Sequence, residues 1–522
     1  MTPSLNDGQG LCMPAVSRLV QALLLLGATG LAWGQSDDGG ADRRGLSIKP
    51  SLSMSGTVTD NIGLNSGAKD KAVIGMVSPG LTVRSNTGML RGSLDYSMDG
   101  LMYYRTSYAD RVQHRLLSQA SAALLEGRFL IDMRASLGQQ ARSAFAAEQS
   151  VSSYVSNPNQ SQMASLTIAP RLRGVLAGLA NYDASVSGTE TRVKDSVLGD
   201  GRSGQAAFNL EGLGGAERII NWNFSAQASR AKGSGLARTT STDSGMLGLR
   251  YRPDMDLGLN LQAGKERSNF ITLDQVTSNT YSLGADWTPT ERTQLNADWR
   301  RHHYGNSHSL SFNHRMLRSS WRYSDSQAVN GPGAVGGGTR QTNYALYDAI
   351  FTAQEPDPIK RDLMVRAFLL SSGLSADAIA NSGFLSGAAS LTRSQTGAFS
   401  LLGLRSTATL TLSQAKTRRL DPFSNVSDDL SGGGVLRQRS GALSLSHKLS
   451  QTTSVSVSAA DQQTSSSTTV LTTDLKTLLT SVNGQLGQRL SYSISLRHAR
   501  FSSEQKSYRE NAVTATLTQQ FQ

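Results

Sequence analysis

The 522-residue chain is 38% hydrophobic and 17% charged, with 51 glycines and a formal net charge of +12. Such polarity excludes a set of ordinary soluble domains with apolar cores, while a barrel tolerates it because every second strand residue faces a wet lumen. A single Cys12 at or before the apolar leader excludes a disulfide framework or a thiolate metal site in the exported chain. Basic excess can signal nucleic acid, but these arginines spread over turns and strand ends with no basic helix or aromatic-basic platform, so no nucleic-acid partner is expected.

In chain order, Arg18 precedes the apolar run from Leu19 to Leu31 and the small-x-small step Ala32-Trp33-Gly34. This predicts a signal peptide over residues 1–34, with Met13 as an alternative start that would remove Cys12. Residues 35–45 form a short polar segment, and strand signals begin near Leu46.

From there the chain alternates. Between Met89 and Tyr104, Leu90, Leu94, Tyr96, Met98, Met102 and Tyr104 fall on one face, and Arg91, Ser93, Asp95, Ser97 and Asp99 on the other. The pattern returns at Phe129 to Leu137, Trp222 to Ala228, Leu257 to Ala263, Tyr281 to Trp287, Leu295 to Trp299 and onward to the C-terminus. No apolar stretch behind the leader is long enough to cross a bilayer as a helix. The fold class that follows is all-β, a transmembrane antiparallel up-and-down β-barrel over residues 46–522, of about 22 strands (range about 16 to 22) with a small helical insert. One hairpin, Asn306 to Asp325, leaves the count open, because parity breaks after Phe312 and a turn is expected at His314 to Met316.

Charge assigns the faces. A lipid-facing arginine at mid-membrane costs roughly 2 to 4 kcal/mol, so Arg91, Asp95, Asp99, Asp132, Arg134, Asp286, Asp298 and Arg497 are expected in the lumen. Tyr103, Tyr104, Trp222, Trp287 and Trp299 suit the aromatic girdles at the two interfaces. The last strand, with Val513, Ala515, Leu517 and Phe521 on one face, suits the targeting strand that barrel assembly machinery reads, although Gln519 and Gln522 depart from that pattern.

Residues 326–385 break the alternation with a Gly-rich linker, Gly331 to Gly338, and two helices. Tyr344 to Thr352 forms the first; Asp357 as N-cap with Pro358 opens the second, which runs to about Leu370. The insert is a plug, lid or rim element, on the extracellular side if the uncertain hairpin exists.

His302, His303 and His308 with Ser307, Ser309 and Asp298 are the only cluster that resembles hydrolytic or metal chemistry. Their spacing fits no metal motif, and neighbours 302 and 303 point to opposite faces, so no catalytic residue, metal or cofactor is expected and the chain reads as a non-enzyme.

Several phrases resemble the barrel family associated with the PEP-CTERM and exosortase system of exopolysaccharide-producing Gram-negative bacteria. They are Lys49-Pro50, Thr59-Asp60-Asn61, Ser78-Pro79-Gly80, Leu94-Asp95-Tyr96, Tyr103-Tyr104 and Asp357-Pro358-Ile359-Lys360-Arg361. The resemblance implies a role in exopolysaccharide export or surface-protein assembly and supplies no catalytic residues. Expected partners are outer-membrane lipid and lipopolysaccharide, barrel assembly machinery, exopolysaccharide and export-system proteins. The alternative is a non-conducting scaffold or adhesin that binds through its loops. A TonB-dependent receptor, with a globular plug ahead of its first strand, is not expected, because strand signals begin so soon after the leader.

Overall fold

The computed structural model describes residues 45–521 except 105, 147–158, 195–199, 215–217, 234–237, 332–334, 337–342, 352–383 apart from 361 and 365, 469–470 and 488. The expected signal peptide and alternative start lie outside the described residues.

Twenty-two strands close one antiparallel sheet. The first half comprises β1 (Leu46–Thr59), β2 (Ala72–Asn86), β3 (Leu90–Tyr104), β4 (Arg111–Leu124), β5 (Phe129–Ala141), β6 (Gln160–Leu176), β7 (Ala180–Val193), β8 (Gly201–Gly212), β9 (Ile220–Gly233), β10 (Thr240–Tyr251) and β11 (Leu257–Ser268). The second comprises β12 (Val276–Thr290), β13 (Thr293–His302), β14 (Gly305–Arg315), β15 (Ser319–Asn330), β16 (Ser390–Leu402), β17 (Ser406–Arg419), β18 (Val435–Lys448), β19 (Thr453–Ser466), β20 (Thr472–Gln485), β21 (Leu490–Ser503) and β22 (Ser507–Gln520). Each strand pairs with its sequence neighbours, and β1 pairs with β22, Ser51 opposite Gln520 through Thr59 opposite Ala512, so the sheet closes on itself. Closure is what lets a sheet satisfy its backbone in lipid.

The doubtful hairpin exists, with its turn at residues 316–318, two residues later than expected. Three turn residues between β14 and β15 account for the break in parity. The insert is displaced along the chain, because β15 runs on to Asn330 and β16 starts at Ser390, which puts it at residues 331–389 where 326–385 was expected.

One face of the sheet carries exposed apolar side chains, among them Met54, Val58, Met102, Leu261, Leu283, Leu496, Val513 and Leu517. The other carries hydroxyls that meet across strands: Ser53 with Thr518 at 2.8 Å, Thr57 with Thr514 at 2.9 Å, Thr167 with Thr189 at 2.9 Å and Ser456 with Ser481 at 2.7 Å. Pairs of this kind each contribute a few tenths to about 1 kcal/mol, and here they line the inside. Among the described residues there is no central apolar core; their buried apolar clusters sit inside the barrel, mostly toward its loop end.

Candidate functional site

Loops turn inward at that end. The link after β1 sends Ile62 against Ile74, Met76 and Leu101, and Leu64 against Leu475, Phe501 and Tyr508, so it packs on the inner faces of strands on both sides of the seam. Tyr103 joins the first of these clusters, which corrects its expected place in the aromatic girdle. Adjacent residues take opposite faces, so only Tyr104 stays outside.

The insert reaches further. Its helix α1 (Asn343–Phe351) packs Leu346, Tyr347 and Phe351 with Val365 against Ala398 and Leu402 of β16. Arg361 Nε donates to Asp348 Oδ1 at 2.8 Å, tying the downstream part of the insert to α1. Leu402 is the last residue of β16, next to a short turn, so the helix lies deep along the wall and not on the rim. Most of the expected second helix lies outside the described residues.

Segments of the insert on both sides of α1 meet at the far wall. Val335–Gly336 pairs with Phe384–Leu385, and Phe384 bridges in parallel to Ala141 at the end of β5. Strand β5 keeps a free edge there because its ladder with β4 starts only at Leu137. Phe384 and Leu385 are fully buried, the first with Ala144, Leu430 and Leu436, the second with Met163 and Val193. The insert leaves the wall between β15 and β16 and contacts it again at β5 to β7, about half the circumference away.

Two adjacent carboxylates secure this crossing. Asp428 accepts from Ser386 Oγ at 3.0 Å and from the Gly387 amide at 3.2 Å, while Asp429 accepts from Ser143 Oγ at 3.0 Å and the Ala144 amide at 2.6 Å. The loop after β17 thus joins the insert to the link after β5. Arg238 holds the same loop from β9–β10, reaching Asp421 Oδ1 at 3.2 Å. Burial, with Asp428 alongside, raises the Asp429 carboxyl above its ordinary value, although the Ala144 and Ser143 donors pull the other way. A raised native value means that the crossing is favoured below it and weakened as pH rises through it. Measured against a solvent-exposed reference cysteine, which corrects for the falling thiolate fraction, a cysteine replacing Phe384 should therefore label with maleimide relatively more slowly as pH falls toward the carboxylate range, and Asp429→Asn should flatten that ratio.

The sequence-selected charges lie as follows. Asp99 is buried, pairs with Arg115 at 2.9 Å and accepts from Ser78 Oγ at 2.5 Å. Asp95 accepts from Thr82 at 2.9 Å, Asp286 meets Arg250 at 3.2 Å, and Arg497 meets Glu510 at 2.7 Å. Arg91, Asp132, Arg134 and Asp298 share the inward register of these groups without being brought into one cluster. Sequence reasoning missed Glu510, Arg250 and Arg115 as partners, since each pairing depends on register. Trp222, Trp287, Trp299 and Tyr104 take the outward register, with Trp222 and Trp287 near short turns and Tyr104 at the loop end of β3.

Of the histidine cluster, His302 and Ser307 do meet, with a different carboxylate from the one expected. His302 Nε2 lies 2.7 Å from Ser307 Oγ and its Nδ1 2.5 Å from Glu266 Oε2, while Asp298 takes no part. This is the proton-relay order of a serine hydrolase. Yet Glu266 is 1% exposed and the His302 side chain 7%, and Tyr304 stacks on the imidazole at 4.7 Å. A carboxylate so desolvated needs a partner wherever it sits, and His302 with Ser307 supplies one. Purified protein is expected to leave a fluorophosphonate probe unreacted; labelling that disappears in Ser307→Ala would reverse that reading.

A closed sheet, apolar outside and polar inside, defines an outer-membrane β-barrel, and the protein resides in the outer membrane of a Gram-negative cell. No family model and no curated protein matches the chain. Among solved structures it is similar to the siderophore receptor PirA from Pseudomonas aeruginosa, with 10% identity over 92% of this chain and 81% of that one and a TM-score of 0.44. It is also similar to the FrpB iron transporter from Neisseria meningitidis, with 11% identity, 91% and 83% coverage and a TM-score of 0.47. For Acinetobacter baumannii OccAB3 the values are 8%, 91%, 100% and 0.31.

Proposed function

We propose that this barrel is a gated conduit or accessory barrel in exopolysaccharide export, linked to PEP-CTERM and exosortase surface assembly. The observation that carries the reading is a wide polar lumen crossed by a segment that enters from the loop side and is held by hydrogen bonds instead of a continuous apolar core. Cross-strand hydroxyls and spaced charges along the wall suit transient contact with a polyhydroxylated chain. Arg91 and Arg134, which have no acidic partner among the described residues, favour anions. The resemblance of the Thr59-Asp60-Asn61 and Asp357-Pro358 phrases supports the choice of polymer. Barrel assembly machinery is the proposed reader of Val513, Ala515, Leu517 and Phe521.

A second reading, a non-conducting scaffold, draws on the burial of Phe384 and Leu385. Export assays separate the two. A strain lacking the protein should lose secreted polysaccharide and regain it with the intact gene; a strain that secretes normally while losing attachment would favour the scaffold.

A further inference from the structure

The sequence puts cations at turns and strand ends without assigning them a face, and the structure gives several of them to the outer wall. On β11 the outward register runs Leu259, Leu261, Ala263, Lys265, Arg267, so two cations follow directly above an apolar band. Both are exposed, and Arg230, Lys232 and Arg301 flank them on the same outward register of β9 and β13. None of these five has an acidic partner among the described residues; Asp243, opposite Arg267 in register, makes no ion pair there either. Bare cations beside a lipid-facing surface are tolerated only near the interface.

Below them lies a furrow of about 610 Å³ in the outer wall. It follows one cross-strand row, Lys265, Gly245, Ala226, Phe208, Ala184 and Leu172, and the next row up, Arg267, Asp243, Ala228 and Ala206. Small side chains form its floor, and a Cβ at Gly245 would meet nothing within 4 Å. Because strands tilt, a row at right angles to them descends across the wall, from the cations near the loops toward the short turns. The furrow is therefore an apolar track that starts at a pair of positive charges at headgroup height.

We propose that this furrow binds a phosphorylated, multiply acylated glycolipid of the outer leaflet. Its phosphate meets Lys265 and Arg267, and an acyl chain lies over Ala226 and Ala184. Charge complementarity selects this occupant over a neutral lipid, and the apolar track selects it over a free anion. The site is on the outside of the barrel and stands whether or not the lumen conducts.

The test uses full-length protein in phosphatidylcholine nanodiscs, with binding of a bis-phosphorylated, multiply acylated glucosamine disaccharide counted by native mass spectrometry. Lys265→Gln with Arg267→Gln should weaken binding by tenfold or more, and Ala226→Trp, which fills the furrow and keeps both charges, should weaken it as well. Lumen variant Arg91→Gln should bind like the wild type. Unchanged binding in the charge variant, unchanged binding in Ala226→Trp, equal binding of the dephosphorylated lipid, or full competition by inorganic phosphate would each overturn the proposal. Heat-dependent gel mobility checks that every variant remains a folded barrel.

Discussion

Removal of residues 341–382 should raise the single-channel conductance of the purified barrel several-fold and convert brief openings into a steady open level. Barrels of this strand number enclose a lumen that is otherwise plugged. Here the material to be removed includes α1, whose Leu346, Tyr347 and Phe351 cover Ala398 and Leu402 on the inner wall. The strand ladder does not need it, since β15 and β16 pair with each other over their full length from Asn330 opposite Ser390 to Ser319 opposite Leu401. The deletion should therefore fold and insert normally. Ion selectivity should favour anions once the lumen is open, because Arg91 and Arg134 remain. A deletion variant that stays electrically silent would remove the conduit reading and leave the scaffold.

Glu510→Ala should cost about 3 kcal/mol or more of barrel stability, since it strands a cation that is no longer solvated. Glu510 is 2% exposed and Arg497 12%, and the carboxylate also accepts from Thr59 at 3.0 Å. The three groups belong to β22, β21 and β1, so this cluster spans the seam where the last strand meets the first. Glu510→Gln keeps an acceptor for both donors and should lose clearly less. Urea unfolding followed by tryptophan fluorescence, with heat-dependent gel mobility alongside, measures both variants. Equal midpoints for Glu510→Ala and the wild type would show that the seam owes nothing to this cluster.

Much of the barrel was legible because one rule, alternation, repeats at every strand. Met54 and Val58, Leu259 and Leu261, Ala515 and Leu517 all announce an outward face without knowledge of any partner. The hairpin at β14 and β15 was harder, since a three-residue turn shifts parity and imitates an irregular strand. The insert's path was hidden for a different reason. Phe384-Leu385 is a pair of apolar residues in a polar stretch, and nothing in its neighbourhood specifies that it finds the spare edge of β5 more than 240 positions earlier. Asp428 and Asp429 resemble loop carboxylates until their partners are known.

Height along the strand, together with parity, decides where the outward cations can sit. A lipid-facing charge costs a few kcal/mol at the midplane but close to nothing near the interface. Lys265 stands about 13 Å along the strand from Leu261 at the usual rise per residue, far enough to leave the hydrocarbon. Parity read alone would have found it, because Lys265 shares the register of Leu259 and Leu261. The same holds for Arg267 and Arg301. Net positive charge is thus partly a property of the outer wall near the loops and not only of the lumen.

The crossing of the lumen is the central structural claim, and a cysteine pair tests it most directly. Ala141→Cys with Phe384→Cys joins the end of β5 to its register partner in the insert, in a chain whose own Cys12 lies within the expected leader. Oxidation of outer membranes carrying this variant should form an intramolecular disulfide in most molecules, seen as a reducible shift in gel mobility, and should hold the barrel in its low-conductance state. Two thiols that remain separately reactive toward a membrane-impermeant maleimide, with no shift on oxidation, would contradict it.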